Sequence, residues 1–156
     1  MSGIVNLVGS KSGIVGTTAA AGIDFESGTF SPGLQQGSNN AAGYGGQSGN
    51  YTRVGDIVFV TFELVISDFG SMSGTARLYN MPFTCTSQTI YYIGADLVVI
   101  FTEADMQQAV RLQMNPNVTN VDIVRDNFKT GAHVGLHTDY IDTGTLFRGS
   151  FQYRAA

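Results

Sequence analysis

The chain has little of several residue types that often define a protein class. Of its 156 residues, 13% are charged, one is cysteine, three are proline and none is tryptophan. The single Cys85 excludes an intramolecular disulfide framework, and its neighbours predict a buried, unreactive thiol at a strand end. The longest apolar stretches, at 57–62 and 97–101, are far too short to span a bilayer. These absences exclude a disulfide-stabilised scaffold and offer no membrane-spanning segment.

The chain also has few charged residues, and its net charge is slightly negative. Eight Lys and Arg residues against twelve Asp and Glu residues give a formal net charge of −4. Nucleic-acid binding needs clustered basic side chains, which this chain lacks, so we predict no nucleic-acid partner. An ordinary soluble domain has about 25% charged residues. We therefore expect part of the surface to be covered by further copies of the chain or by other subunits.

Runs of β-branched and aromatic residues recur along the chain. In the strongest run, at 56–67, five apolar side chains share one side of a period-two pattern that should face a core: Val58, Val60, Phe62, Leu64 and Ile66. Further strands are predicted at 76–79, 89–93, 97–102, 109–114, 118–125 and 146–153, with a hairpin turn at 114–117. Helical spacing is also present at 103–113, although its neighbours favour a strand. The pattern predicts an all-β fold, an antiparallel β-sandwich that is jelly-roll-like.

The stretch 28–49 is rich in Gly, Ser, Asn and Gln. This composition predicts a long loop. Glycine-rich loops can bind phosphates, but neither dinucleotide-binding nor Walker patterns occur here, and a strand rather than a helix follows. We therefore predict no nucleotide site.

The tetrapeptide Ser-Gly-Ile-Val occurs at 2–5 and again at 12–15. Residues 1–23 have too few apolar side chains for a core of their own, which leaves a flexible tail or a docking arm that binds a neighbouring subunit. The docking residues of a short extended arm would be Ile4, Val5, Leu7, Val8, Ile14 and Val15. We predict an N-terminal docking arm at 1–23 and a β-sandwich module at 24–156. No signal-peptide pattern occurs at the N-terminus, so we expect the protein to be made and assembled in a cytoplasm.

Two histidines and a few carboxylates are the candidates for chemistry. His133 and His137 are four residues apart, which places them about 13 Å apart on a strand and too far to share a metal. Carboxylate pairs at 103 and 105, or at 122 and 126, resemble the pair of a glycosidase only loosely, and the chain is short for a substrate cleft. We predict no metal, no cofactor and no enzymatic activity, with a small glycan-active enzyme as the weakest alternative.

Aromatic side chains are the remaining functional resource. Tyr91, Tyr92 and Tyr140 are candidates for stacking on a sugar or for contacting a protein, because their rings give a large contact area at small entropic cost. The alternative is that each is a core or subunit-contact residue. With His133 and His137, they form our set of candidate receptor or subunit contacts.

Four segments keep a fixed order along the chain: ESGTFSP at 26–32, GNYTRVGDIVFV at 49–60, SGTARLYNMPFT at 73–84 and DTGTLFRGSFQYR at 142–154. Together they resemble a module of bacteriophage tail-fibre and other virion appendage proteins. Phe30, Arg53, Met81 and Phe151 stand where that module has Trp, Lys, Leu and Tyr, and these exchanges preserve packing. The resemblance covers residues 24–156.

The resemblance implies a β-sandwich that commonly forms a homotrimer and buries strand faces against its partners. It implies a non-enzymatic virion structural protein: a trimeric tail-fibre or spike module that displays a host-binding surface for a glycan or protein. An alternative is a trimeric capsid decoration protein (a cement or head-fibre protein) that stabilises the shell. In either case we expect the arm to bind other virion proteins, with no membrane insertion.

Overall fold

The computed structural model describes residues 24–87, 95–100, 110–127 and 132–156. Within these ranges the chain forms two antiparallel sheets around one hydrophobic core, which confirms the predicted all-β sandwich. The proposed arm, the strand predicted at 89–93 and residues 103–109 lie outside the described residues. In chain order the strands are β1 (Phe25–Phe30), β2 (Gly33–Gln36), β3 (Asn39–Asn40), β4 (Gly43–Val54), β5 (Ile57–Asp68), β6 (Arg77–Tyr79), β7 (Ala95–Ile100), β8 (Val110–Met114), β9 (Val121–Asn127), β10 (Ala132–Gly135) and β11 (Leu146–Arg154).

The first sheet has five strands in the order β1-β4-β5-β11-β7. Its central strand is β5, which pairs with β4 on one side and with β11 on the other. The five apolar side chains expected to face the core do so, since each is at most 4% exposed. This strand is the one that the sequence indicated most strongly.

The second sheet has six strands in the order β10-β9-β6-β2-β3, with β8 on the opposite edge of β9. Its inner face contributes Leu34, Leu78, Leu112 and Ile123, which are fully buried. Residues 110–114 form a strand, as the neighbouring strands indicated. The β8–β9 hairpin closes through Asn117, whose φ of 60° is left-handed. The hairpin turn predicted at 114–117 is therefore confirmed.

The loop predicted at 28–49 is wrong, because most of this stretch lies in β1, β2, β3 and β4. Three of its glycines stand directly opposite aromatic residues on neighbouring strands: the pairs are Gly28 with Tyr51, Gly49 with Phe30 and Gly33 with Tyr79. In each pair the ring lies over the glycine, where a Cβ would overlap it. The aromatic ring supplies the packing contacts that glycine cannot make, because glycine has no side chain. A glycine-rich sequence can therefore form part of the sheet.

The β1–β4 pair contains this arrangement twice. Gly28 of β1 faces Tyr51 of β4, and Phe30 of β1 faces Gly49 of β4, so each strand supplies one ring and one glycine. A Cβ on Gly28 would lie 2.8 Å from the Tyr51 hydroxyl oxygen. These four residues belong to the first two segments of the family resemblance, which therefore form one paired unit at the edge of the five-stranded sheet.

Two tyrosine hydroxyls form hydrogen bonds with the backbone of other segments of the chain. The Tyr44 hydroxyl accepts a hydrogen bond from the Leu34 amide and donates one to the Leu34 carbonyl, at 2.9 and 3.3 Å. The Tyr153 hydroxyl does the same with both backbone groups of Phe83, at 3.1 Å each. Burial raises the pKa of Tyr44 and of Tyr153 to about 12. Cys85 follows Phe83 closely and is buried, as predicted, and burial raises the pKa of its thiol.

The glycine pairing predicts a strong position dependence for alanine substitution in β4. Gly49→Ala should lower the free energy of unfolding by about 1–3 kcal/mol, because the new methyl group displaces the Phe30 ring. Gly45→Ala is the matched control: the nearest atom to its Cβ would be 3.6 Å away, an ordinary contact. We expect the control to stay within about 0.5 kcal/mol of wild type. Urea unfolding measures both, and equal losses at the two positions would contradict the pairing.

The buried tyrosines predict loss of stability in alkali. The pKa of each tyrosine is higher in the folded chain than the unfolded value of about 10. The two neutral tyrosines therefore stabilise the fold fully below pH 10, and this contribution is lost as the pH rises towards about 12. Tyr153→Phe should cost about 1 kcal/mol near neutral pH, through its lost hydrogen bonds. It should also flatten the alkaline decline. Urea unfolding across this pH range tests both effects, and an unchanged pH dependence in the variant is the contrary result.

Candidate functional site

The side of the five-stranded sheet that points away from the core carries an unusual set of exposed apolar side chains. Within the described residues, the exposed large hydrophobics are Phe25, Phe59, Val98 and Ile100, and they are 70%, 47%, 52% and 55% exposed. The strand registers place all four on this one side. We call it the five-strand face. Clustered exposed apolar residues of this kind mark interaction surfaces, whereas scattered ones do not.

The five-strand face has two apolar ends and a polar middle, and β7 adds Asp96 to the middle row, in register with Ser150. One end consists of register partners on three neighbouring strands, which are Phe25, Val54 and Ile57. The other end consists of a second such set, which is Val65, Leu146 and Ile100. The row between them contains four hydroxyl or amide side chains, which are Thr29, Asn50, Thr61 and Ser150. From Ile57 to Val65 the face extends about 27 Å, and its five strands span about 19 Å.

Charges on and beside this face cancel in pairs. The Arg148 guanidinium donates a 2.8 Å hydrogen bond to Glu63, its registered neighbour on β5. Arg154 bonds Asp56 in the same way at 2.8 Å, and this hydrogen bond lowers the pKa of the Asp56 carboxyl. Exposed ion pairs contribute little to stability, typically about 0–1 kcal/mol. Their consequence here is that these two arginines and two carboxylates cancel, while Asp96 of β7 is a further acidic residue in the register of the face.

The sequence-predicted contact residues are only partly described. The Tyr140 ring packs against the core and lies under the Arg125 guanidinium, 4.8 Å from the ring centroid. His137 lies at the start of a short 3₁₀ turn (Thr138–Tyr140), beside Asp139. Its Nδ1 accepts a hydrogen bond from the Asp139 amide and lies 2.9 Å from the Asp139 carboxylate.

The remaining predicted residues have no described side chain. His133 is in β10, where only its backbone is described, while Tyr91, Tyr92 and the docking-arm residues lie outside the described residues. A receptor or subunit role for the whole set therefore stays a prediction. In the part of the chain that the structure describes, no three metal-binding side chains come together, and no helix is long and apolar enough to cross a membrane.

The four exposed hydrophobics were missed by the sequence analysis. One signal was present in β5, where Phe59 falls on the polar side of the alternation with Thr61 and Glu63. Val98 and Ile100 alternate with half-buried residues in β7, and Asp96, two residues before Val98, is a polar residue on their side of the strand. The pairing with Arg148 and Leu146 places this side on the five-strand face.

Comparison with known proteins identifies a fold and no family. No protein-family model matches the chain, and no curated protein matches it. Among solved structures, the crystal structure of the Dettilon tailspike protein superposes with a TM-score of 0.67 at 15% sequence identity. The superposition covers 85% of this chain and 24% of that one, so the chain spans about a quarter of the tailspike's length. The class thus defined is an antiparallel β-sandwich of a kind that also occurs as part of a phage tailspike chain.

Proposed function

We propose that this chain is a structural module of a bacteriophage virion appendage, a tail fibre or spike, and that it forms a homotrimer through the five-strand face. The observation that carries the proposal is the concentration of exposed apolar side chains on that face. Likeness of the fold to part of a tailspike supports the appendage class, as does the order of the four sequence segments. The site of action is the virion, with assembly in the host cytoplasm and attachment to other virion proteins through residues 1–23.

The composition of the five-strand face suits contact with copies of itself. Burying its apolar ends contributes about 25 cal/mol per Å², and the hydroxyl and amide row supplies hydrogen-bond partners between them. Because the Arg148–Glu63 and Arg154–Asp56 charges cancel, three identical faces turned towards a three-fold axis leave Asp96 of β7 as the acidic residue whose repulsion assembly has to overcome. The flat extent of the face is roughly 500 Å², which a trimer divides between two neighbours, whereas a standard interface buries about 800 Å² per partner. Contacts from the sheet edges would supply the rest.

The role we assign is binding and not catalysis. Of the described carboxylates, Asp56 and Glu63 accept hydrogen bonds from Arg154 and Arg148, and Asp122 lies 3.3 Å from Arg77. The hydrogen bond from Arg154 lowers the pKa of the Asp56 carboxyl, which favours its charged form and not a proton donor. This arrangement supports a surface that acts through shape, contact area and trimer avidity.

Charge placed on the five-strand face should prevent assembly. We expect the wild-type chain, of 16.6 kDa, to run as a trimer in light scattering coupled to size exclusion. Phe59→Asp and Val98→Asp should run as folded monomers, because a buried unpaired carboxylate opposes association. Ser38→Asp is the matched control, since this exposed residue lies in the β2–β3 turn of the other sheet, and it should remain trimeric. A monomeric wild type, or trimers of both face variants, would refute the proposal.

A further inference from the structure

A line of polar side chains crosses the outer side of the six-stranded sheet, opposite to the five-strand face. The strand registers place these residues side by side on five consecutive strands: Asn40, Gln35, Arg77, Asp122 and Gln113. We call them the polar row. The buried neighbours Leu34, Leu78 and Val121 point into the core, so the polar row points outward. At the usual strand spacing it is about 19 Å long.

Much of the hydrogen-bonding capacity of the polar row is unused. Within the described residues, no hydrogen bond involves the side-chain amides of Asn40, Gln35 or Gln113. Arg77 Nε and Asp122 Oδ1 face each other at 3.3 Å, yet both atoms are shielded from solvent and lack a well-oriented hydrogen bond. The other carboxylate oxygen, Asp122 Oδ2, accepts a 2.8 Å hydrogen bond from the side-chain amide of Asn115. Because Arg77 Nε and Asp122 Oδ1 are shielded, contact with a ligand falls to the three amides and to the accessible parts of the Arg77 and Asp122 side chains, which are 34% and 20% exposed.

An aromatic surface adjoins the row. Tyr79 is two residues after Arg77 in β6 and therefore lies on the same side of the sheet. Its ring covers the backbone of Gly33, which holds it against the sheet, and the residue stays half-exposed. A ring of this kind gives an apolar surface bordered by polar groups.

We propose that the polar row and Tyr79 form a binding site for a neutral saccharide. Amide, guanidinium and carboxylate groups are planar and offer paired donors or acceptors, which match the adjacent hydroxyl groups of a sugar ring. The aromatic ring of Tyr79 provides a surface for the C–H side of a sugar. This inference rests on the proposed function in one respect: the five-strand face is taken up by assembly, so the six-stranded sheet is the side left for a ligand.

The charges of the polar row, and the lack of exposed large hydrophobic residues among the described residues beside it, distinguish between classes of ligand. Arg77 and Asp122 cancel, and Arg111, two residues before Gln113 on the same side of β8, adds one arginine, which is not the cluster of basic groups that a phosphate-rich polymer requires. A protein partner would need a buried apolar centre in its interface. All exposed large hydrophobics of the described residues lie on the five-strand face instead, which leaves a polar, uncharged polymer as the best match for this side.

The test is an array of neutral and anionic bacterial oligosaccharides, probed with the labelled full-length chain. We expect binding to at least one neutral glycan, and a loss of affinity of about tenfold or more in Gln35→Ala and in Gln113→Ala. Both amides are free of hydrogen bonds within the described residues, so neither substitution should affect folding. Thr143→Ala is the matched control, because this exposed residue lies in the loop before β11 and belongs to neither surface, and its affinity should stay within about twofold of wild type.

Several outcomes would overturn the saccharide site. These are no binding to any glycan, binding to anionic glycans alone, or neutral-glycan binding that both row variants retain. The oligomeric mass of the same samples separates the two proposals. A trimer that binds no glycan refutes the polar row and leaves the assembly proposal intact. A monomer refutes the assembly proposal, and the row variants then still decide the saccharide site.

Discussion

The alternation of side chains along β5 is the constraint on which both sheets and both surfaces depend. This strand pairs with β4 and β11, and it sends five apolar side chains from Val58 to Ile66 into the core. The residues between them, including Phe59 and Thr61, must then point outward. A slip of one residue would exchange the two sets completely, so burial of one side fixes the composition of the other. The five-strand face is therefore a consequence of the same register that forms the core.

How much the sequence could predict follows from this constraint. The strands at 56–67, 76–79 and 146–153 were predictable from their runs of apolar residues, and the strand at 109–114 was predictable from the strands on either side of it. Residues 28–49 were not, since Gly28 and Gly49 join a sheet only because a ring on another strand covers each of them. In each case the ring is 19 to 23 residues away along the chain, and a rule based on local composition does not include it. For the same reason the polar row, which depends on pairing between strands, could not be derived from local patterns.

The two sheets differ in the chemistry that they present to the outside. The five-strand face combines exposed apolar ends with internally paired charges, which favours contact with other subunits. Across the core, the polar row presents unbonded amides, a neutral Arg77–Asp122 pair and the ring of Tyr79. A trimer with the first surface inside and the second outside would bury the apolar side chains and repeat the polar row three times. Weak contacts at each row would then add up through avidity.

The proposal that this chain belongs to a phage appendage is tested most directly by its copy number in purified phage particles. Quantitative mass spectrometry against the major capsid protein gives that ratio. The account predicts a small number of copies, in a multiple of three and far below the capsid protein. A ratio close to that of the capsid protein would contradict an appendage and assign the chain to capsid decoration, whereas its absence from particles would contradict a structural role altogether.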